Sequence, residues 1–338
     1  MSGIPEAPLP QAGDQPEPEV SQSPQESVAP AELLPEPALE TPSGREPGDI
    51  ATSESFLGSY AGTFATRTTP VRFPNFFDVF LLSLLLIFSW ICSAAVFGTA
   101  LHFHLWGVAT AKQALNDIHY TLGTQVIWYV IAFGGCLALF PAVWHTRYFS
   151  GLEWNGKAAF RKRWRLFTAA FACFVLAVAD GILLPGPPDT PIDQVFRLPG
   201  AAWLLFGFGV TLAPFFEEMA FRGFLLPAFN TAADWVAERL LHLPAPHPDL
   251  EGKPRWSIGA MIVGSTLTSI PFALMHAEQT GYSVGPFLLL VCVSLVLCWV
   301  RLSTRSLAAS TLVHSSYNLL LFTLMLLGTG GFRHLDRM

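Results

Sequence analysis

Six stretches of this chain run for 19 to 33 residues without a single Asp, Glu, Lys or Arg. They are Val79–Ala111, Ile118–Thr146, Leu198–Phe216, Ser257–Ala277, Gln279–Val300 and Ser306–Phe332. A seventh, Leu166–Ala179, gives 14 residues and continues past Asp180 into an apolar GILL segment. A bilayer core needs roughly 20 apolar residues per helical span. Lipid offers backbone N–H and C=O groups no partners, so only helices or closed barrels can cross it. The runs show neither period-2 alternation nor regular short strands, which argues against a barrel. The expected fold is all-α: a polytopic transmembrane helix bundle of about seven spans, with an eighth left open.

Charge is distributed unevenly. Only 13% of the 338 residues are charged, against about 25% in an ordinary soluble domain. The net charge of −6 conceals two parts. Residues 1–55 carry eleven acids, one base (Arg45) and eleven prolines, a net −10, while the rest carries fourteen acids and eighteen bases, a net +4. An acidic Pro/Glu-rich segment of this kind cannot bury enough apolar surface to offset its ordering entropy. Residues 1–65 are therefore expected to be a disordered tether, and 75–330 the membrane domain. The start has no basic region followed by an apolar run, so no signal peptide is expected. The expected partners are the lipid bilayer and a membrane-embedded protein or peptide, with no nucleic acid.

Orientation follows the excess of basic residues on the cytoplasmic side. Six bases lie between Arg147 and Arg165 against one acid, Glu153. Placing that loop in the cytoplasm puts the N-terminus there as well and the C-terminus on the far side. Arg301 and Arg305 then also fall inside. The five cysteines sit singly within apolar runs and form no CxxC pair, so neither a disulfide framework nor a structural zinc site is expected.

Ionisable side chains within a span are costly to keep, which makes each one a functional candidate. Three clusters qualify. Glu217-Glu218-Met-Ala-Phe-Arg222 lies inside an apolar stretch from Ala201 to Phe229. As one helix, about thirty residues would reach roughly 45 Å, so it must tilt or protrude. Glu218 and Arg222 are one turn apart and can pair, while Glu217 points about 100° away from Glu218. Phe272 and His276 share a face in a second span, as do His314 and Asn318 in a third. Taken singly, these could be an interfacial charge network, two hydrogen-bonded core histidines and an interhelical amide. Taken together, they place carboxylate, imidazole and carboxamide groups on three helices that can converge in a bundle core.

The three motifs, in this order, resemble the CAAX-protease and bacteriocin-processing family of intramembrane endopeptidases, which includes type II CAAX prenyl proteases. The resemblance extends over about residues 75–328. It implies an intramembrane endopeptidase that acts on a prenylated or transmembrane substrate held in the bilayer. It also implies roles: Glu217 as general base, His276 sharing and orienting the water, and His314 with Asn318 stabilising the oxyanion. Glu218 and Arg222 would fix the helix face, and Phe272 would pack against the site. The chain's own end, LDRM, is no CaaX box.

A metal version competes. Glu217, His276 and His314 could supply three zinc ligands and leave a fourth position for water. The HExxH pattern is absent and the histidines lie on different spans, so no required cofactor is the favoured reading and zinc the alternative. Two further classes stay open at this level. One is a proton-coupled transporter using the same three residues, and the other is a non-catalytic scaffold or immunity factor whose acidic tail recruits a partner. No inverted repeat supports the transporter. The runs also raise a positional conflict, because Glu217 lies mid-helix while His276 lies at the far end of its run. Either the fifth helix continues past Glu278 or the site lies off the bilayer centre. Side chains more than about 10 Å apart could not share one water.

Overall fold

Every uncharged run carries a helix in the structure, a computed structural model that describes residues 74–184, 190–198, 200–244, 246 and 256–334. The long helices are α1 (Phe76–His102), α2 (Ile118–Trp144), α3 (Arg163–Leu183), α4 (Ala201–Leu240), α5 (Ile258–Met275), α6 (Val284–Thr304) and α7 (Leu307–Gly328). All seven are long and apolar enough to cross a membrane, and there is no strand among the described residues. The protein is an all-α, multi-pass integral membrane protein. The acidic segment 1–65 lies outside the described residues, as do Pro185 and most of the connection from α4 to α5.

Polar residues at the helix ends satisfy backbone N–H groups that the helices leave orphaned. Asn75 caps α1 through the Phe77 and Asp78 amides, and the Asp78 carboxylate returns the bond to the Asn75 amide. Asp117 accepts from the His119 and Tyr120 amides at the head of α2. Ser257 and Ser306 do the same for α5 and α7. Between these ends the side chains turn apolar groups outward. Phe77, Phe80, Ile87, Phe88 and Trp90 of α1 are each more than half exposed, which is tolerable where the surrounding solvent is hydrocarbon.

Inside, α7 packs against α3, α4 and α6, and the C-terminal half of α4 packs against α5. One apolar cluster joins α3, α6 and α7 through Cys173, Leu297, Val300 and Val313. A second joins α1, α2 and α4 through Leu82, Phe140, Met219 and Phe224, with Leu152 and Leu307 sealing one end. All five cysteines are free.

The fourth helix departs from the simple rod expected of it. It extends over 40 residues and is interrupted twice. The first interruption is at Thr211, where φ is −116° and ψ is −73°, three residues before Pro214. The second is a π-helical turn over Met219–Leu225, in which the Leu226 amide reaches back to the Phe221 carbonyl. The short segment Leu212–Glu218 between them carries both glutamates.

Candidate active site

Glu218 and Arg222 have no solvent exposure, and Arg222 Nη1 donates to Glu218 Oε1 at 3.0 Å. A buried ion pair persists only when further hydrogen bonds offset its desolvation. Arg222 Nη2 donates to Ser294 Oγ at 2.7 Å and to the Ser294 carbonyl at 3.1 Å, which ties α4 to α6. Its guanidinium carbon lies 4.4 Å from the centroid of the Phe272 ring, a cation–π contact. Glu218 Oε1 also lies 3.1 Å from His314 Nδ1 on α7. One carboxylate oxygen thus joins a guanidinium and an imidazole from two helices.

The second histidine is oriented by a backbone group. His276 is the residue that ends α5, and its Nδ1 lies 2.8 Å from the Phe272 carbonyl. A carbonyl can only accept, so Nδ1 carries a proton, and in the neutral imidazole Nε2 then keeps the lone pair. The same logic applies to His314, whose Nδ1 faces a carboxylate. Both Nε2 atoms then point at one target. His276 Nε2 lies 3.8 Å and His314 Nε2 3.7 Å from Glu217 Oε2. These separations are too long for direct hydrogen bonds and suit a bridging water. Phe272, buried one turn before His276, has its ring centroid 5.0 Å from that imidazole and 5.9 Å from that of His314.

Glu217, His276 and His314 line a cavity of about 550 Å³ that reaches Gln125 and Tyr129 of α2 and Asn318 of α7. The Asn318 amide nitrogen donates to the Gly209 carbonyl at 2.7 Å, just before the interruption at Thr211. One of its two N–H groups is therefore committed. A second cavity of about 440 Å³ lies between α1, α2 and α4, walled by Leu82, Leu86, Trp128, Phe133, Phe216 and Phe221. Gln125, Tyr129, Glu217, His276 and Gln279 border both cavities, so the carboxylate stands where the two meet. Tyr148, in the connection after α2, lines the second cavity, and burial pushes its phenol up so that it stays neutral.

Of the two alternatives that the runs left open, a fifth helix continuing past Glu278 does not occur. α5 stops at Met275 and does not continue past Glu278, and Glu217 lies opposite its C-terminal end. Ser294, Gln125, Tyr129 and Gln279 are additions that the sequence reading did not contain. Ser294 had a signal, as the only hydroxyl between Ser283 and Arg301. The other three are neutral, and no charge or spacing sets them apart in the sequence. Among the described residues, no group of three or more His, Cys, Asp or Glu side chains is arranged to hold a metal ion.

Residues 199–320 match a family model described as type II CAAX prenyl endopeptidase Rce1-like. Neither a curated protein nor a solved structure matches the chain. The matched segment starts just before α4 and ends within α7, so it contains all seven side chains singled out in the sequence. It is narrower than the 75–328 that the motifs suggested, because α1, α2 and α3 fall outside it. Over α4–α7 the chain is therefore similar to type II CAAX prenyl endopeptidases.

Proposed function

We propose that this protein, similar to type II CAAX prenyl endopeptidases over α4–α7, hydrolyses a peptide bond in a membrane-held protein through a water activated by Glu217. The observation that carries the proposal is the convergence of His276 Nε2 and His314 Nε2 on Glu217 Oε2 at 3.8 and 3.7 Å. A water among these atoms gives one proton to Glu217 and directs the other at His276. Its oxygen attacks the substrate carbonyl carbon, and the C=O π pair moves onto oxygen. Collapse breaks the C–N bond, and the proton held by Glu217 passes to the leaving amine.

The oxyanion needs donors. The uncommitted N–H of Asn318 is one. His314 supplies another from Nε2 only as the imidazolium, because its Nδ1–H is committed to Glu218. Glu218 and Arg222 act through position, holding His314 and the turn that carries Glu217. Gln125 and Tyr129, at the junction of the cavities, border the path of the substrate backbone. The apolar second cavity suits a lipid chain or the side chains of a transmembrane segment. The route runs without a metal, since the acidic and imidazole groups suffice for each proton transfer.

Quantitative comparison of membrane proteomes tests the reading. Cells with the wild-type protein should contain C-terminal or intramembrane fragments that vanish with Glu217→Ala. If no fragment differs, a scaffold role takes its place.

A further inference from the structure

The connection from α2 into the first turn of α3 gathers positive charge that the protein itself does not neutralise. Residues 147–165 carry Arg147, Lys157, Arg161, Lys162, Arg163 and Arg165 against one acid, Glu153. That acid is already engaged, since its Oε2 lies 2.8 Å from Arg301 Nη2 on α6. Among the described residues, none of the six cations pairs with a carboxylate. Five of them are exposed, and Lys162 is half-buried.

The charges stand on a fixed platform. Arg301 Nη2 also donates to the Leu152 carbonyl at 3.3 Å, and the Leu307 amide donates to the Glu153 carbonyl at 3.1 Å. Ser306 Oγ donates to the Asn155 carbonyl at 2.8 Å, which ties the connection to the head of α7. The Asn155 side chain then caps a short helix, Gly156–Arg161, by accepting from the Ala158 amide. That helix buries Ala158 and Ala159 against the bundle, which leaves Lys157, Phe160 and Arg161 outward. Held in this way, the cations lose little freedom when they meet an anion.

Two apolar rings stand among them. Phe160 is 68% and Trp164 72% exposed. The guanidinium carbon of Arg163 lies 4.7 Å from the Phe160 ring and 5.8 Å from that of Trp164. Phe167 and Phe171 continue the outward row along α3. Rings beside cations suit the level where lipid headgroups meet acyl chains, and tryptophan gathers there. A soluble anion or an acidic protein would match the charge and leave the row of rings unmatched.

We infer that residues 157–165 bind an anionic phospholipid, with its headgroup on Lys157, Arg161 and Arg163 and its acyl chains along Phe160, Trp164 and the outer face of α3. A zwitterionic headgroup carries no net charge for the cations to match. Near a bilayer surface each Lys or Arg is worth roughly a fivefold preference for anionic lipid. None of these residues lines the cavities that Glu217 borders, so the lipid site is independent of the peptidase reading.

Fluorescence quenching reads the lipid beside Trp164 without any activity. The full chain is reconstituted in phosphatidylcholine vesicles carrying an equal mole fraction of brominated phosphatidylglycerol or brominated phosphatidylcholine. The Trp164 signal is the difference between wild type and Trp164→Phe. Brominated phosphatidylglycerol should quench it more strongly. Combining Lys157→Gln, Arg161→Gln and Arg163→Gln should lower the relative affinity by roughly 10². Lys157→Gln alone should lower it roughly fivefold, which keeps the test open should the triple variant fail to fold. Lys112→Gln with Arg333→Gln, which removes two charges elsewhere, should leave the preference intact. Equal quenching by the two lipids would overturn the inference, and so would a preference that survives the substitutions at 157–163. Loss of the preference in inorganic phosphate at constant ionic strength would assign the cations to a soluble anion and overturn it as well.

Discussion

Glu218 Oε1 lies 3.1 Å from His314 Nδ1, so the imidazole that faces Glu217 is held from behind by Glu217's own neighbour in the chain. Two adjacent glutamates thereby stand in different surroundings. Glu218, with no solvent exposure and bonded to Arg222, is a fixed part of the helix packing. Glu217, 13% exposed, borders both cavities.

The division predicts different failures. Glu217→Gln should lose roughly 10²–10⁴ in turnover while keeping wild-type thermal stability. Glu218→Leu leaves Arg222 as an uncompensated buried charge and should cost about 3–5 kcal/mol. Thermal denaturation in detergent, run beside a turnover assay, separates the two. Equal losses of stability would contradict the division.

Ser294 is predicted to matter through Arg222. Ser294→Ala removes the 2.7 Å bond to Nη2 and should cost about 1.5–3 kcal/mol, as a hydrogen bond to a charged group. The kcat should fall with KM unchanged, because the substrate touches neither residue. Ser294→Thr, which keeps the hydroxyl, should restore most of the rate. An unaltered kcat in Ser294→Ala would remove Ser294 from the account.

Asn318 gives a cleaner separation of chemistry from stability. Interhelical hydrogen bonds in membranes are worth only about 0.6 kcal/mol on average, so Asn318→Ala should unfold near the wild-type temperature. Loss of one oxyanion donor should lower kcat by roughly 10²–10³. A large stability loss with kcat retained would make Asn318 an anchor for Gly209 and nothing more.

Gly209 tests the packing that aligns α4 with α7. A Cβ at this position would stand 2.8 Å from the Phe322 ring, closer than atoms tolerate. Gly209→Ala should therefore destabilise by about 1–3 kcal/mol. Adding Phe322→Leu should recover part of that loss, and strictly additive effects would show that the two side chains do not meet.

The seven spans were legible because charge is so scarce that each uncharged run stands out. Even the shortest, Leu166–Ala179, grows into a 21-residue helix, because Arg163, Arg165 and Asp180 lie near its ends, where long charged side chains can reach the interface. The pairing of Glu218 with Arg222 was legible from one-turn spacing. The π turn over Met219–Leu225 was not, since no residue type or spacing in that segment sets it apart from an ordinary helical turn. The end of α5 at Met275 was equally hidden, because the run continues apolar to Ala277. The left-handed residues Gly281 and Tyr282, with φ of 62° and 57°, shape the turn into α6 and become visible only in three dimensions.

Metal dependence has its own test. Turnover should survive exhaustive chelation. Activity lost to chelation and restored by zinc would replace the route proposed here with a metal-bound water.

The most direct measurement is hydrolysis by purified protein reconstituted in bilayers, acting on a peptide that spans a cleavage site found by the proteome comparison. Wild type should cleave it, and Glu217→Gln should be slower by roughly 10²–10⁴ with unchanged thermal stability. Cleavage by Glu217→Gln at the wild-type rate would contradict the account.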